Sequence, residues 1–152
     1  MSGDHTSSTE INKDKLVNDL GLKQYKNTTI FEKYKIFVLS PSVQSESNWF
    51  DVREINIQRY DKNQKKGLLL IRYFKKFLVA DLDIFLQDMT STVTKVYNGH
   101  GGERWKFSIQ ESKNENGEQF YNVINQEDRE LKMKFEMMDL EILKQLFNIT
   151  KT

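Results

Sequence analysis

Between Val52 and Lys76 the chain concentrates charge of one sign. Arg53, Arg59, Lys62, Lys65, Lys66, Arg72, Lys75 and Lys76 stand against Glu54 and Asp61, a local excess of six. Such a run is the electrostatic footprint of a surface that meets a phosphate backbone, because each phosphate neutralised releases condensed counterions. Trp49, Tyr60 and Tyr73 accompany these cations, and Arg104-Trp105-Lys106 repeats the combination in the second half. On an open sheet face such rings would stack on unpaired bases, each contributing about 1 to 3 kcal/mol. The opposing reading assigns the rings to the core and the lysines to solvation of a hairpin.

Catalytic constellations are sparser. Glu130-Leu131-Lys132 has the Glu-x-Lys spacing of a class of metal-dependent nucleases, and Asp128 or Glu118 would be needed to complete a magnesium site. A charged alternating strand produces the same spacing without a site. Asp81 with Asp83, and Glu127 with Asp128, read as solvated helix and turn charges. The two histidines, His5 in a polar terminus and His100 in the glycine-rich Asn98–Gly102, anchor no Ser-His-Asp arrangement. That glycine segment lacks the residue order of a phosphate loop and reads as a strand connection. With no cysteine, thiol nucleophiles, disulfides and thiolate zinc sites are excluded, and no cofactor or resident metal is expected.

The 152 residues, 38% of them hydrophobic, suffice for one good core rather than two marginal ones. A formal net charge of +1 conceals the local basic window. No run of about 18 apolar residues occurs, and Met1–Glu10 has no apolar centre of a signal peptide. The expectation is therefore an intracellular protein of nucleus or cytoplasm with no membrane partner. On that basis the triplets Asn27-Thr28-Thr29 and Asn148-Ile149-Thr150 are expected to carry no glycan.

The elements that must position these residues follow from periodicity. Residues 1–29 read as a flexible tail or docking arm, with Gly21 stopping any helix formed by Ile11, Leu16 and Leu20. Residues 30–152 read as one globular α+β domain. Phe31–Ser40 has strand character throughout, and Trp49–Tyr60 reads as a strand with a bulge near Arg53-Glu54, where the apolar phase shifts. Asp61–Gly67 is a charged hairpin connection. Leu68–Phe74 is apolar on both faces, as in a buried strand or a dimer contact. From Lys75 to Met89 the period is helical. The second half alternates over Glu103–Ser112, turns at Asn116-Gly117, continues through Phe120–Asn125, and alternates again from Leu131 to Met137. A terminal helix follows, with Asp139 as its cap.

Strand into helix is thus written twice, in pseudo-repeats 31–89 and 95–149. The fold expected is α+β, curved antiparallel sheets with two helices, with an internal duplication of a β-meander-plus-helix unit as its simplest origin. This element order over about Phe31–Asn148 resembles the paired repeats of PUR-type single-stranded nucleic-acid-binding proteins, and more distantly the PC4-like and Whirly-like folds. The resemblance implies a curved sheet presenting aromatic and basic residues to unstacked bases, often in a homodimer. Together these readings point to a non-catalytic protein that binds single-stranded DNA or RNA. The competing expectations are a protein-interaction or accessory subunit and, third, the metal-dependent nuclease.

Overall fold

Residues 8–43, 48–90, 96–97 and 103–149 are described by a computed structural model. Its strands are β1 (Lys23–Gln24), β2 (Ile30–Lys33), β3 (Ile36–Leu39), β4 (Trp49–Arg53), β5 (Lys66–Tyr73), β6 (Lys76–Asp81), β7 (Val96–Tyr97), β8 (Glu103–Lys113), β9 (Gln119–Asn125) and β10 (Lys132–Met138). Four helices interleave with them: α1 (Ser8–Asp14), which runs into a π-helical turn at Lys15–Asp19, α2 (Glu54–Ile57), α3 (Leu82–Met89) and α4 (Leu140–Ile149). The fold is mixed α+β around one large, mostly antiparallel sheet.

Strand order is β1-β2-β3-β5-β6-β10-β9-β8-β4, with β7 pairing β8 off this path. Only β3 and β5 run parallel among these pairs. The connection between them contains β4, which lies at the opposite end of the sheet. Seven strand spacings separate β2 from β4, about 34 Å if the sheet were flat. Yet Asn56, three residues beyond β4, donates a 3.2 Å hydrogen bond to the Thr29 hydroxyl just before β2. The sheet therefore curls until its ends meet.

Curling gives the sheet an inner and an outer face, and strand alternation feeds both. Ile30, Phe37, Leu39, Phe50, Val52, Leu69, Ile71, Leu78, Ala80, Trp105, Phe107, Val123 and Phe135 point inward around Leu82, Phe85 and Met89 of α3. Phe85 packs edge-on against Phe107 and Phe135, at centroid distances of 4.9 and 5.8 Å. Outside, Phe31, Ile36, Val38, Leu70, Phe77 and Val79 carry Leu16, Leu20 and Leu22 from the N-terminal segment and Leu143 and Phe147 from α4. Residues 8–29 thus dock on this chain's own sheet. Buried Asn12 donates to the backbone carbonyl and hydroxyl of Ser40, whose hydroxyl donates to the Leu70 carbonyl.

Several expected elements take a different form. Phe31–Ser40 is a hairpin rather than one strand, because the chain reverses at Tyr34-Lys35 with Tyr34 at φ 54°. No Gly or Asn marks that turn. Leu68–Phe74 continues through a similar reversal, Phe74 at φ 57°, into β6, so the helix begins at Leu82 and not at Lys75. The run Phe77–Ala80 buries both of its faces, which period alone does not separate from a helical stripe. The phase shift after Arg53 comes from the single helical turn α2, not a bulge. The β8–β9 hairpin turns at Gly117 with φ 81°, Gly21 ends the N-terminal helical segment at φ 73°, and Asp139 caps α4 by accepting from the Ile142 amide at 2.9 Å.

Asp81 caps α3 in the same way, accepting from the Ile84 amide at 3.0 Å while pairing with Lys66. Partial burial raises its pKa, but the Lys66 ammonium and the helix amides outweigh burial and hold it below the ordinary aspartate range. A carboxylate depressed in the folded state contributes stability above its unfolded pKa, and that stability is lost as pH falls through the folded one. Chemical denaturation of the wild type should therefore show stability falling as pH drops from about 5 toward 2, and Asp81→Asn should flatten part of that fall. Equal pH dependence in the two proteins would show that Asp81 contributes nothing to it.

Candidate nucleic-acid interface

The basic window of the sequence divides in the fold. Lys62, Lys65 and Lys66 lie at one end of β5 and Arg72, Lys75 and Lys76 at the other, about 23 Å apart over eight strand residues. Lys65 pairs with Glu32 and Lys66 with Asp81, so part of the excess is neutralised locally. Arg72 donates to the Phe74 carbonyl at 2.8 Å, and burial pushes its pKa down. Lys62, Lys75 and Lys76 are exposed. Arg59 is exposed beyond α2, its guanidinium 5.4 Å from the Tyr25 ring centroid.

The aromatic residues divide as well. Tyr73 and Trp105 are 5% and 9% exposed in the inner core, so neither presents a face to a base, and the stacking role expected of them is not met. Their strand positions alternate with Arg72 and Arg104, which places ring and cation on opposite faces. Tyr60 is half-buried, its ring 4.8 Å from that of Phe37. Burial, then the adjacent Asp83 carboxylate, push its hydroxyl up to about 12. Trp49 alone of the four lies half-exposed on the outer face.

That outer face is where cations and rings converge. Register places Trp49, Ser108, Ile124 and Lys132 in one row across β4, β8, β9 and β10. The next row holds Gln110, Asn122 and Lys134, and on the other side Asp51 faces Lys106 and Arg53 faces Arg104. The same face carries Ser112 opposite Phe120. Five cations, Arg53, Arg104, Lys106, Lys132 and Lys134, accompany the two carboxylates Asp51 and Glu136. Asp51 is engaged by largely buried Arg104. The Lys106 ammonium lies 5.4 Å from the Trp49 ring centroid, and Lys134 lies 4.9 Å from that of Phe120. The two rings are about 16 Å apart, two strand spacings and four residues.

The apolar cluster beneath the outer helices takes no residue from β4, β8 or β9. Most outward side chains of these three strands are polar, charged or aromatic, with Ile124, 6% exposed, as the buried aliphatic exception. Phe120, Lys132 and Lys134 were absent from the sequence-derived set. The alternation of Leu131–Met137 already put both lysines on a wet face, but only strand order brings them beside Trp49 and Lys106.

The nuclease constellation does not assemble. Glu130 lies in the turn before β10 rather than on the strand with Lys132, and Asp128 accepts the Glu130 amide at 3.1 Å. Glu118 sits beyond the far end of β9, about 20 Å from Asp128 along the strand. No group of three metal-ligating residues occurs among the described residues. His5, His100 and the glycine segment lie outside them. No described helix is long and apolar enough to cross a membrane.

Tyr60 is pinned as well as buried. A Cβ on Gly67 would lie 2.5 Å from the phenol ring and 2.9 Å from the Leu82 Cβ. Gly67→Ala should consequently destabilise the fold by about 1 to 3 kcal/mol in urea denaturation, and a neutral result would mean that the ring moves freely. Comparison of the chain with protein-family models, curated proteins and solved structures finds no match.

Proposed function

We propose that this protein binds nucleic acid without catalysis, preferring single strands, through the outer face of β4, β8, β9 and β10. One observation carries the reading: Trp49 and Phe120 each lie under a lysine ammonium on strands that contribute nothing to the apolar cluster beneath the outer helices. The lysines supply sequence-independent attraction to phosphates, and the rings supply stacking surfaces for unpaired bases. A duplex keeps its bases stacked internally, so it gains the first term and forgoes the second. The resemblance to PUR-type proteins rests on element order over about Phe31–Asn148, and the duplication on a strand-into-helix order whose two helices are α3 and α4. Those two helices pack on opposite faces of the sheet.

Fluorescence anisotropy with a 5′-hydroxyl single-stranded oligonucleotide tests the reading. Trp49→Ala and Phe120→Ala should each weaken binding about tenfold. Lys106→Gln and Lys134→Gln should each lower the slope of log affinity against log salt by about 0.7. Unaltered affinity and slope in all four variants would overturn the proposed face.

A second reading, an interaction subunit, is favoured by a groove of about 380 Å³ between α1, the β5–β6 hairpin and α4. Ile11, Phe74, Phe77 and Leu140 form its apolar lining, with Lys15, Arg72 and Lys75 at its rim and no carboxylate among the lining residues. Phe74 is 70% exposed there. This chemistry suits an acidic segment with apolar anchors, in a partner protein or a second copy. Phe74→Ser should abolish such capture while sparing oligonucleotide affinity. Loss of oligonucleotide affinity in that variant would instead assign the groove to nucleic acid.

A further inference from the structure

Where the curled ends of the sheet meet, they form a pocket of about 280 Å³ between the β1–β2 turn and the β4–α2 junction, with Leu39, Val52 and Ile55 as its apolar lining. Gln24, Asn27, Thr28 and Thr29 line it from one end of the sheet, and Asp51, Arg53, Asn56 and Arg59 from the other. We infer that this seam pocket is a binding site for a phosphate monoester, either the 5′ end of a nucleic-acid strand or a free mononucleotide.

Charge is the first argument. Two arginines line the pocket, and its one carboxylate, Asp51, is engaged by Arg104. Neither Arg53 nor Arg59 forms an ion pair among the described residues. The Arg53 Nε is buried and has no acceptor there, a desolvated donor of the kind that normally finds a partner. An anion in the pocket would supply the missing countercharge to its guanidinium.

Preorganisation is the second argument. Arg59 is held from two sides, donating to the Asn56 side-chain oxygen at 3.3 Å and lying over the Tyr25 ring. Asn56 is itself 5% exposed and fixed by its bond to Thr29. The Gln24 amide donates to the Thr28 carbonyl at 2.8 Å, and the Thr28 hydroxyl donates to the Tyr25 carbonyl at 2.6 Å, which sets the opposite wall. Planar guanidinium donors suit an oxyanion with several acceptors, and a phosphate monoester carries close to two charges at neutral pH. Size is the third argument. Ligand cavities commonly run from roughly 300 to 1,000 Å³, so this one suits a phosphate and its attached sugar rather than an extended dinucleotide.

With a strand end as the source, the inference deepens the reading of the neighbouring sheet face. With a mononucleotide as the source, it stands on the pocket alone. Affinities of the full chain for 3′-labelled single-stranded oligonucleotides with a 5′-phosphate and a 5′-hydroxyl separate these cases, together with amide chemical-shift mapping on titration with adenosine monophosphate. Asn27→Asp, an exposed change that places negative charge at the mouth, and Arg59→Gln are the variants.

The expected result is about tenfold tighter binding of the 5′-phosphorylated strand, a gain that both variants abolish, so that each variant binds the two strands equally. Equal affinity for the two strands, with mononucleotide-induced shifts confined to residues 24–29 and 51–59, supports the pocket with a free nucleotide as its ligand. Equal affinity and no such shifts would overturn the inference while leaving the sheet-face reading intact. Binding of the mononucleotide in the pocket, with no binding of either strand, would remove the sheet-face reading and keep the pocket.

Discussion

Closure of the sheet on itself is the constraint from which the other features follow. A strand taken from between β3 and β5 is placed beside β8, and the chain then returns through α2. The Asn56–Thr29 hydrogen bond marks the seam, and Ile30 and Phe50 from opposite ends share one core. Curvature of this degree leaves an inner volume that side chains of the strands alone do not fill. The helix α3 occupies it, with Phe85 against Phe107 and Phe135. Fully buried Asn125 fastens the end of that helix, donating to the Met89 carbonyl at 2.9 Å while its oxygen accepts the Glu127 amide at 2.8 Å. A polar side chain in the core is tolerated here because both of its ends are satisfied.

The same curvature decides how the outer face is used. Helices covering a convex surface cannot follow it around its whole circumference. The N-terminal segment and α4 cover the half built from β2, β3, β5 and β6, where outward positions are Phe31, Ile36, Val38, Leu70, Phe77 and Val79. On the other half the outward positions include Trp49, Arg53, Lys106, Lys132 and Lys134, which need no apolar cover, and one buried aliphatic, Ile124. Sequence thus writes the division twice, once in the apolar stripes of the helices and once in which strands are apolar on both faces.

That division also explains what was legible before the structure. Period two over Glu103–Ser112 placed Trp105, Phe107 and Ile109 on one side, and all three are core. The two-sided character of Leu68–Phe74 marked a strand buried on both faces, as β5 is. The Asp139 cap and the Asn116-Gly117 turn carry strong local chemistry and were readable for that reason. Tyr34 and Phe74 were not, because each takes a left-handed turn conformation that its side chain disfavours and that tertiary pairing imposes. The candidate site was harder still. A run of cations along the chain suggested one patch, but a strand of eight residues separates its two ends, while Lys106 and Lys134 become neighbours of aromatic rings only through pairing between distant strands.

Arg53 sits at the junction of the two surfaces. As the last residue of β4 it shares the outward parity of Trp49 and Asp51, and it also lines the seam pocket. Four residues of extended chain put it about 13 Å from Trp49. A strand with its terminal phosphate in the pocket could therefore lay its first bases along β4 toward Trp49 and continue across β8 toward Phe120. The route passes Lys106 and ends near Lys134, so cations accompany it to the far ring. On the proposed reading a bound strand would have a direction, since only one of its ends would carry the group proposed for the two arginines. Sheet closure, which at first concerns only the core, thereby brings the two arginines beside the basic face, and on the proposed reading this junction would tell one end of a strand from the other.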